Sequence, residues 1–369
     1  MRIFYAVPGT AHQTCLPTSR LWHVNLCLPM IDLGHEVVPF HFDYTNFNLH
    51  LDHTIPSHQE FIDRNRPRFG EELLRQIKAA HSQKRIDLFF SYFYSAYVEP
   101  QIVREIRAMG ITTINWYCNA SYQLRLVEEI APAYDYCLVP ERFRMDSYRR
   151  IGANPIYCQE AANPNVYKPY DVPLDFDVTF VGQKYGNRPM YIRHLVDAGI
   201  DVHVWGPRWQ DSPPHTPVWK MVGKRAKQWL LNRETRPVDV PRDRVGPPLT
   251  DEEYVKLYSR SKISLGFSGV AELPSRGEPI KQVRLRDFEA PMSGAFYMVE
   301  YFEELAEFFE PGKEIVCFTG SDDLAEKARY YLAHEDERDR IRQAGMQRAR
   351  SEHTWHKRFE MVFRHIGLS

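Results

Sequence analysis

Six cysteines are scattered through the 369 residues, and none belongs to a C-x-x-C pair. The spacing signals neither a zinc site nor a dithiol redox site. It fits reduced thiols in a cytoplasmic protein. No apolar run approaches the ~18 residues that cross a bilayer. The opening MRIFYAV is too short for the apolar core of a signal peptide and reads as a first strand. Net charge is −1, so neither nucleic acid nor an acidic polymer is signalled as a partner. No G-x-G-x-x-G follows either opening strand and no Walker loop is present, which argues against a nicotinamide-dependent oxidoreductase. Internal repeats and low-complexity tracts are also missing.

What the chain does have is apolar and aromatic content, 43% and 13% respectively, enough to exclude disorder over most of its length. Its size predicts two domains. Strand-like and helix-like segments alternate, which predicts an α/β fold with parallel sheets. In the first half, strands are expected at 2–7, 35–40, 86–93, 111–118 and 134–140. Helices are expected at 21–33, 71–83, 100–110 and 142–152, with a polar, His-rich connection at 41–60. Residues 161–176 are rich in Pro and Asn and read as a linker. The rhythm restarts with strands at 177–182, 200–206, 262–268, 295–299 and 314–319. Helices are expected at 188–199, 251–261, 287–292 and 321–334, with a last one over 336–366 broken near His353. This gives domains 1–165 and 166–351 and a terminal helix 352–369. Residues 207–249 are too long for an ordinary loop and read as an insertion with its own helix. Its basic 220–236 segment could touch an anionic membrane surface or pack as a solvated helix.

Two stretches carry chemistry. VGQKYGNR (181–188) ends a strand and opens a helix. Gly182 and Gly186 allow a tight turn, and Lys184 and Arg188 stand at the mouth of a helix whose free N–H groups favour an anion. A diphosphate suits this loop, and so does an ordinary strand-to-helix turn. The other stretch is RLRDFEAPMSGAFYMVEY (284–301), where Glu289 stands alone in an apolar run. A buried carboxylate is costly unless it is paired. Either Arg286 pairs with it internally, or Glu289 accepts hydrogen bonds from two sugar hydroxyls of a ligand while Arg286 and Lys281 meet phosphates.

The order R-x-F-E-x-x-x-x-G (Arg286, Phe288, Glu289, Gly294), apolar strand, EELAEFFEPGKEIVCFTGSDDLAEKARYYL and EHTWHKRF resembles the C-terminal domain of GT-B glycosyltransferases. The likeness is to the spore-protein-like family of the "glycosyl transferases group 1" type. It is specific over 250–366 and looser over 177–206, with only the pattern matching before that. The resemblance implies two Rossmann-like, doubly wound domains facing across a cleft. It implies a nucleotide-diphosphate sugar, of UDP or GDP type, as co-substrate, with no metal or other cofactor. It places Glu289 at the ribose and Gly182, Lys184 and Arg188 at the diphosphate. The final helix, from about His353, would cross back to the first domain. Many retaining relatives carry a second glutamate eight residues before the ribose one, where this chain has Lys281. That substitution leaves the donor sugar and the stereochemical outcome open.

The implied reaction is transfer of a sugar to an acceptor, with basic residues stabilising the departing diphosphate. The competing reading is a non-catalytic nucleotide- or glycan-binding relative. An inverting enzyme needs a base, and His12 after the first strand is the best placed; His41 and Asp43 are weaker. Trp205 or Arg208, after the strand that carries His203, could touch the nucleobase. Asp175 and Asp177 form a D-x-D that reads as incidental, and His353 and Arg358 read as structural beside a Thr354 helix cap. The acceptor (glycan, lipid-linked sugar, peptide or small metabolite) would meet the loops 8–20, 41–70, 93–98 and 118–124.

Overall fold

The computed structural model describes residues 1–8, 20–209, 240–272 and 279–368. The chain divides into two compact units: Met1–Val166 with Ala271–Phe288 and Arg350–Ser369, and Tyr167–Val270 with Glu289–Ala349. The division falls inside the 161–176 stretch. Residues 271–288, expected within the second domain, group with the first unit instead.

The first unit has a six-stranded sheet of β1 (Arg2–Ala6), β2 (Glu36–Pro39), β3 (Leu88–Ser91), β4 (Thr112–Trp116), β5 (Tyr136–Val139) and β6 (Pro155–Tyr157). The order is β2-β1-β3-β4-β5-β6 and every pairing is parallel. Parallel strands must be covered on both faces, so β3, LFFS, is buried at every position. Helices Pro56–Gln83 and Pro100–Ala108 flank the sheet. The core runs through Phe4, Phe69, Phe89, Ile114 and Leu138 and includes Trp355, Phe359, Val362 and Phe363 from helix Trp355–His365. Trp355 meets Trp116 edge to face at 5.1 Å, and Phe359 meets Phe90 at 5.8 Å. The Thr354 hydroxyl caps this helix by accepting from the Lys357 N–H at 3.3 Å.

The second unit repeats the plan with five strands: β7 (Phe176–Val181), β8 (Val202–Trp205), β9 (Ser261–Gly266), β12 (Tyr297–Glu300) and β13 (Val316–Phe318). Their order is β13-β12-β9-β7-β8, again wholly parallel. Helices Arg188–Asp197, Asp251–Ser259 and Ser321–Ala333 supply apolar side chains against it. Both sheets are doubly wound, with a crossover reversal beside the first strand of each (β1/β3 and β7/β9). In such sheets ligands bind outside the carboxyl ends of the strands at that reversal.

Several elements depart from the sequence expectation. Helix Pro56–Gln83 begins fifteen residues before the expected 71. Residues 56–68 bury only Ile62, so no apolar period marks them, and Pro67 lies on the exposed side. The 21–33 helix is a π turn, His23–Cys27, followed by α-helix Leu28–Asp32. Pro29 has no N–H to give the normal ladder, which accounts for the irregularity. Strand β6 and the two-stranded β10 (Gly269–Glu272) with β11 (Pro279–Lys281) were not expected. The terminal helical stretch breaks at His353 as expected, into Glu335–Glu352 and Trp355–His365.

Candidate functional site

The carboxyl ends of β7 and β8 in the second unit are tied together by their loops. Gly182 N–H donates to the Trp205 carbonyl at 2.8 Å and Lys184 N–H to the Pro207 carbonyl at 3.1 Å. Trp209 Nε1 closes the turn by donating to the Gly182 carbonyl at 2.5 Å. The approach is so close that a Cβ at Gly206 would overlap that carbonyl, so this position admits no other residue without moving the loop. Arg208 follows with φ +66°, an unusual value for a residue with a side chain, and is exposed. Backbone strain of this kind clusters at ligand sites.

Arg188 lies deeper than the sequence suggests. It is 3% exposed. Its guanidinium donates to the Gln183 carbonyl at 3.0 Å and to Tyr185 Oη at 2.6 Å. It also sits 3.8 Å from the Tyr185 ring centre and 5.4 Å from that of Phe180. Arg188 therefore fills the β7/β9 reversal and shapes the 182–187 loop. Lys184, half-buried, and the N-terminus of helix Arg188–Asp197 are the features at this edge suited to an anion. That helix carries no acidic side chain in its first turn to offset its positive end.

Glu289 lies on helix Leu285–Met292, just before β12, and is 3% exposed. Tyr254 Oη donates to Glu289 Oε2 at 2.9 Å, and Tyr258 Oη lies 2.5 Å from Tyr254 Oη. Both tyrosines are buried on helix Asp251–Ser259. The helix start is fixed by a reciprocal cap between Thr250 and Glu253. Gly294 ends the Glu289 helix at φ +78°. Its N–H donates to the Pro291 carbonyl at 2.9 Å, and the Ala295 N–H to that of Ala290 at 3.0 Å. That is the left-handed glycine stop, so Gly294 acts on the backbone that carries Glu289.

The other expected residues fall as follows. Trp205 does not offer its ring to a nucleobase: it is 6% exposed, packs on Phe176 at 5.2 Å, and a Cβ at Gly246 would overlap its indole. Lys281 ends β11 and Arg286 lies one turn before Glu289 on the same helix; both are half-buried and belong to the segment grouped with the first unit. Asp175 pairs with Arg260 at 2.6 Å and Asp177 with Lys262 at 2.7 Å, at the opposite end of β7 from the loops. His353 and Arg358 lie 3.3 Å apart in the first unit, where Arg358 also donates to the Gln159 carbonyl at 3.1 Å. His12 and the 220–236 segment lie outside the described residues. Among the described residues, no three His, Cys, Asp or Glu side chains gather as a metal site, and no helix is long and apolar enough to cross a membrane. The first unit holds a cavity of about 580 Å³ whose walls include Phe42, Phe47, Phe61, Asn46, Arg68 and Glu71. Asp43 lines it too, while the His41 backbone is bonded to the Gln76 side chain.

Residues 188–364 match the family described as "Glycosyl transferase-like". Its fold is GT-B, and the glycosyl transferase-like match covers the segment that carries Arg188 and Glu289, just under half of the chain. Over nearly its whole length it is similar in fold to sucrose-phosphate synthase from Thermosynechococcus elongatus, with 14% identity, TM-score 0.60 and 99% of both chains covered. It is likewise similar to Anabaena HepE in complex with UDP-glucose, with 10% identity, TM-score 0.59, and 100% of this chain and 99% of that one covered. A third, AviGT4, a glycosyltransferase involved in avilamycin A biosynthesis, shows 16% identity, TM-score 0.53 and coverage of 99% and 97%. No curated protein sequence matches the chain. As a glycosyltransferase it belongs to the EC 2.4 class. Sequence reasoning about this glycosyltransferase missed Tyr254 and Tyr258. Their signal was a Y-x-x-x-Y pair, which puts two phenols on one helix face.

Proposed function

We propose that this glycosyltransferase moves a sugar from a nucleoside-diphosphate donor, of UDP or GDP type, to an acceptor hydroxyl without a metal. The observation that carries the reading is Glu289, a buried carboxylate held by a tyrosine within the matched segment. A carboxylate can accept from two neighbouring ribose hydroxyls at once, a geometry few other side chains offer. Similarity in fold to HepE, whose structure holds UDP-glucose, supports a uridine donor.

In the reaction, the bond between the anomeric carbon and the diphosphate oxygen breaks, and its electron pair leaves with the phosphate. Lys184 and the N-terminus of helix Arg188–Asp197 face the growing negative charge. Arg188 serves indirectly by holding the 182–187 loop. The acceptor oxygen takes the anomeric carbon and gives up its proton, to His12 if configuration inverts and to the departing diphosphate oxygen if it is retained. The first-unit cavity supports a saccharide acceptor: phenyl rings suit the C–H face of a sugar, and Asn46, Arg68 and Glu71 suit its hydroxyls. Reaction on the cytoplasmic side agrees with the five described cysteines being free thiols, and the 220–236 segment would supply any membrane contact.

Two measurements test this. In a thermal-shift screen of UDP, GDP, dTDP and CMP, a true ligand at 100 times its Kd adds about 2.7 kcal/mol of stability. Glu289→Ala should raise the donor KM by roughly tenfold or more while the folded protein keeps its circular dichroism. An unchanged donor KM in the folded variant rejects the assignment.

A further inference from the structure

We propose that Tyr254 is a positioning residue for Glu289, aimed by Tyr258, and that the pair sets how well the enzyme distinguishes a ribonucleotide from its 2′-deoxy counterpart. The inference rests on the donor reading above. It concerns the phenols behind the carboxylate rather than the contact between carboxylate and ligand.

The geometry runs in one direction. A carboxylate only accepts, so the single proton of Tyr254 goes to Glu289 Oε2 at 2.9 Å. The Tyr254 oxygen is then the acceptor for Tyr258, 2.5 Å away, and the Tyr258 proton points up the chain. Hydrogen bonds in series polarise one another, which strengthens the last one, on the carboxylate. Tyr254 and Tyr258 are four residues apart on helix Asp251–Ser259, with ring centres 5.1 Å apart. The relay thus sits on a capped helix rather than on a loop.

Packing alone does not ask for these hydroxyls. Phenylalanine would fill the same space on a buried helix face without bringing a polar group out of water. Two phenols in sequence, ending on a carboxylate, instead fix one oxygen of Glu289 and so the plane of the group. Two vicinal hydroxyls can both bond a carboxylate only when that plane is right. A carboxylate free to rotate would still attract a nucleotide but would count its hydroxyls poorly. The expected effect therefore falls on the contrast between ribose and deoxyribose, not on nucleotide binding as such.

The test is calorimetric titration of the full chain with UDP, 2′-deoxy-UDP, GDP and 2′-deoxy-GDP, comparing wild type with Glu289→Ala, Tyr254→Phe and Tyr258→Phe. Wild type should prefer the ribose form of whichever base it binds, and Glu289→Ala should abolish that preference. Tyr254→Phe should cut the ribose-to-deoxyribose affinity ratio roughly fivefold to tenfold, mainly through weaker ribose-form binding. Tyr258→Phe, one step further away, should cut it about twofold to threefold. A merely structural tyrosine would weaken both nucleotides alike and leave the ratio alone. If Glu289→Ala loses the preference and Tyr254→Phe keeps it, the relay is rejected and the donor reading stands. If Glu289→Ala also keeps the preference, or wild type binds none of the four, the donor reading itself fails and the relay with it. Should Tyr254→Phe not fold, an unchanged ratio in Tyr258→Phe rejects the relay.

Discussion

The two units share a strand order but finish it differently. In the first, the run after β3 (Tyr92–Tyr97) is buried in an aromatic network, with Phe93 against Phe69 at 5.3 Å and Tyr94 against Tyr117 at 5.4 Å. In the second, the corresponding edge carries Lys184 and Arg208 on loops stitched by backbone hydrogen bonds, with Arg188 buried at the start of the helix that follows. The first unit also takes part of its core from residues 350–369, whereas the second closes around its own strands. One sheet plan thus supports an aromatic, externally completed unit and a cationic, self-contained one. Fold alone does not choose a chemistry; the loops at the strand ends do.

The sharpest way to break this contrast is Phe359→Ala. It should cost the first unit about 3–5 kcal/mol by opening a core cavity. Limited proteolysis should then cut residues 1–166 first while 167–270 and 289–349 resist, and simultaneous loss of both units would erase the distinction. Next comes Arg188→Met in the second unit. Losing two charge-assisted hydrogen bonds and a stack on Tyr185 should lower its urea stability by about 2–4 kcal/mol. Arg188→Lys should not restore it, because an ammonium cannot reproduce the planar fork between the Gln183 carbonyl and Tyr185 Oη. Thr250→Ala removes the cap of the tyrosine-bearing helix and should shift the same transition by about 1 kcal/mol.

The smallest effect is with pH. Burial, aided by Arg20 for His23 and by the N-terminal amine for His35, lowers the pKa of two first-unit histidines. In the second unit burial lowers His203, partly offset by Asp243. Each is a base whose folded value lies below its unfolded value of about 6.5. The unfolded chain binds the extra proton first, so stability rises with pH and is lost as pH falls below about 6.5. Scanning calorimetry from pH 7.5 to 5.5 should show the first unit, with two such histidines, losing more than the second.

How much of this could be read from the chain differed by region. Glu289 was legible because a charge inside an apolar run is conspicuous, and the α/β alternation announced parallel sheets. The helical stretch 56–68 was not, because its outward positions carry no period and Pro67 reads as a breaker. The depth of Arg188 was hidden too. Arginine before a helix looks solvated until β9 brings Phe267 to within 6.0 Å of its guanidinium. Trp205 misled for a similar reason: Gly246 reaches its ring from forty-one positions later. Charge against background shows in one dimension, but what arrives over a side chain from elsewhere does not.

Helix Trp355–His365 lies in the core of the first unit although it follows the whole second unit in the chain. On the ribosome, Phe90 and Trp116 emerge early, and the rings that cover them are translated only after the other half. The nascent first unit therefore waits with an apolar face unsealed, which makes it a substrate for chaperones during synthesis. A chain stopped after Ala349 is expected to pellet as aggregate, because what it lacks is not an appendage but the closing piece of its oldest part.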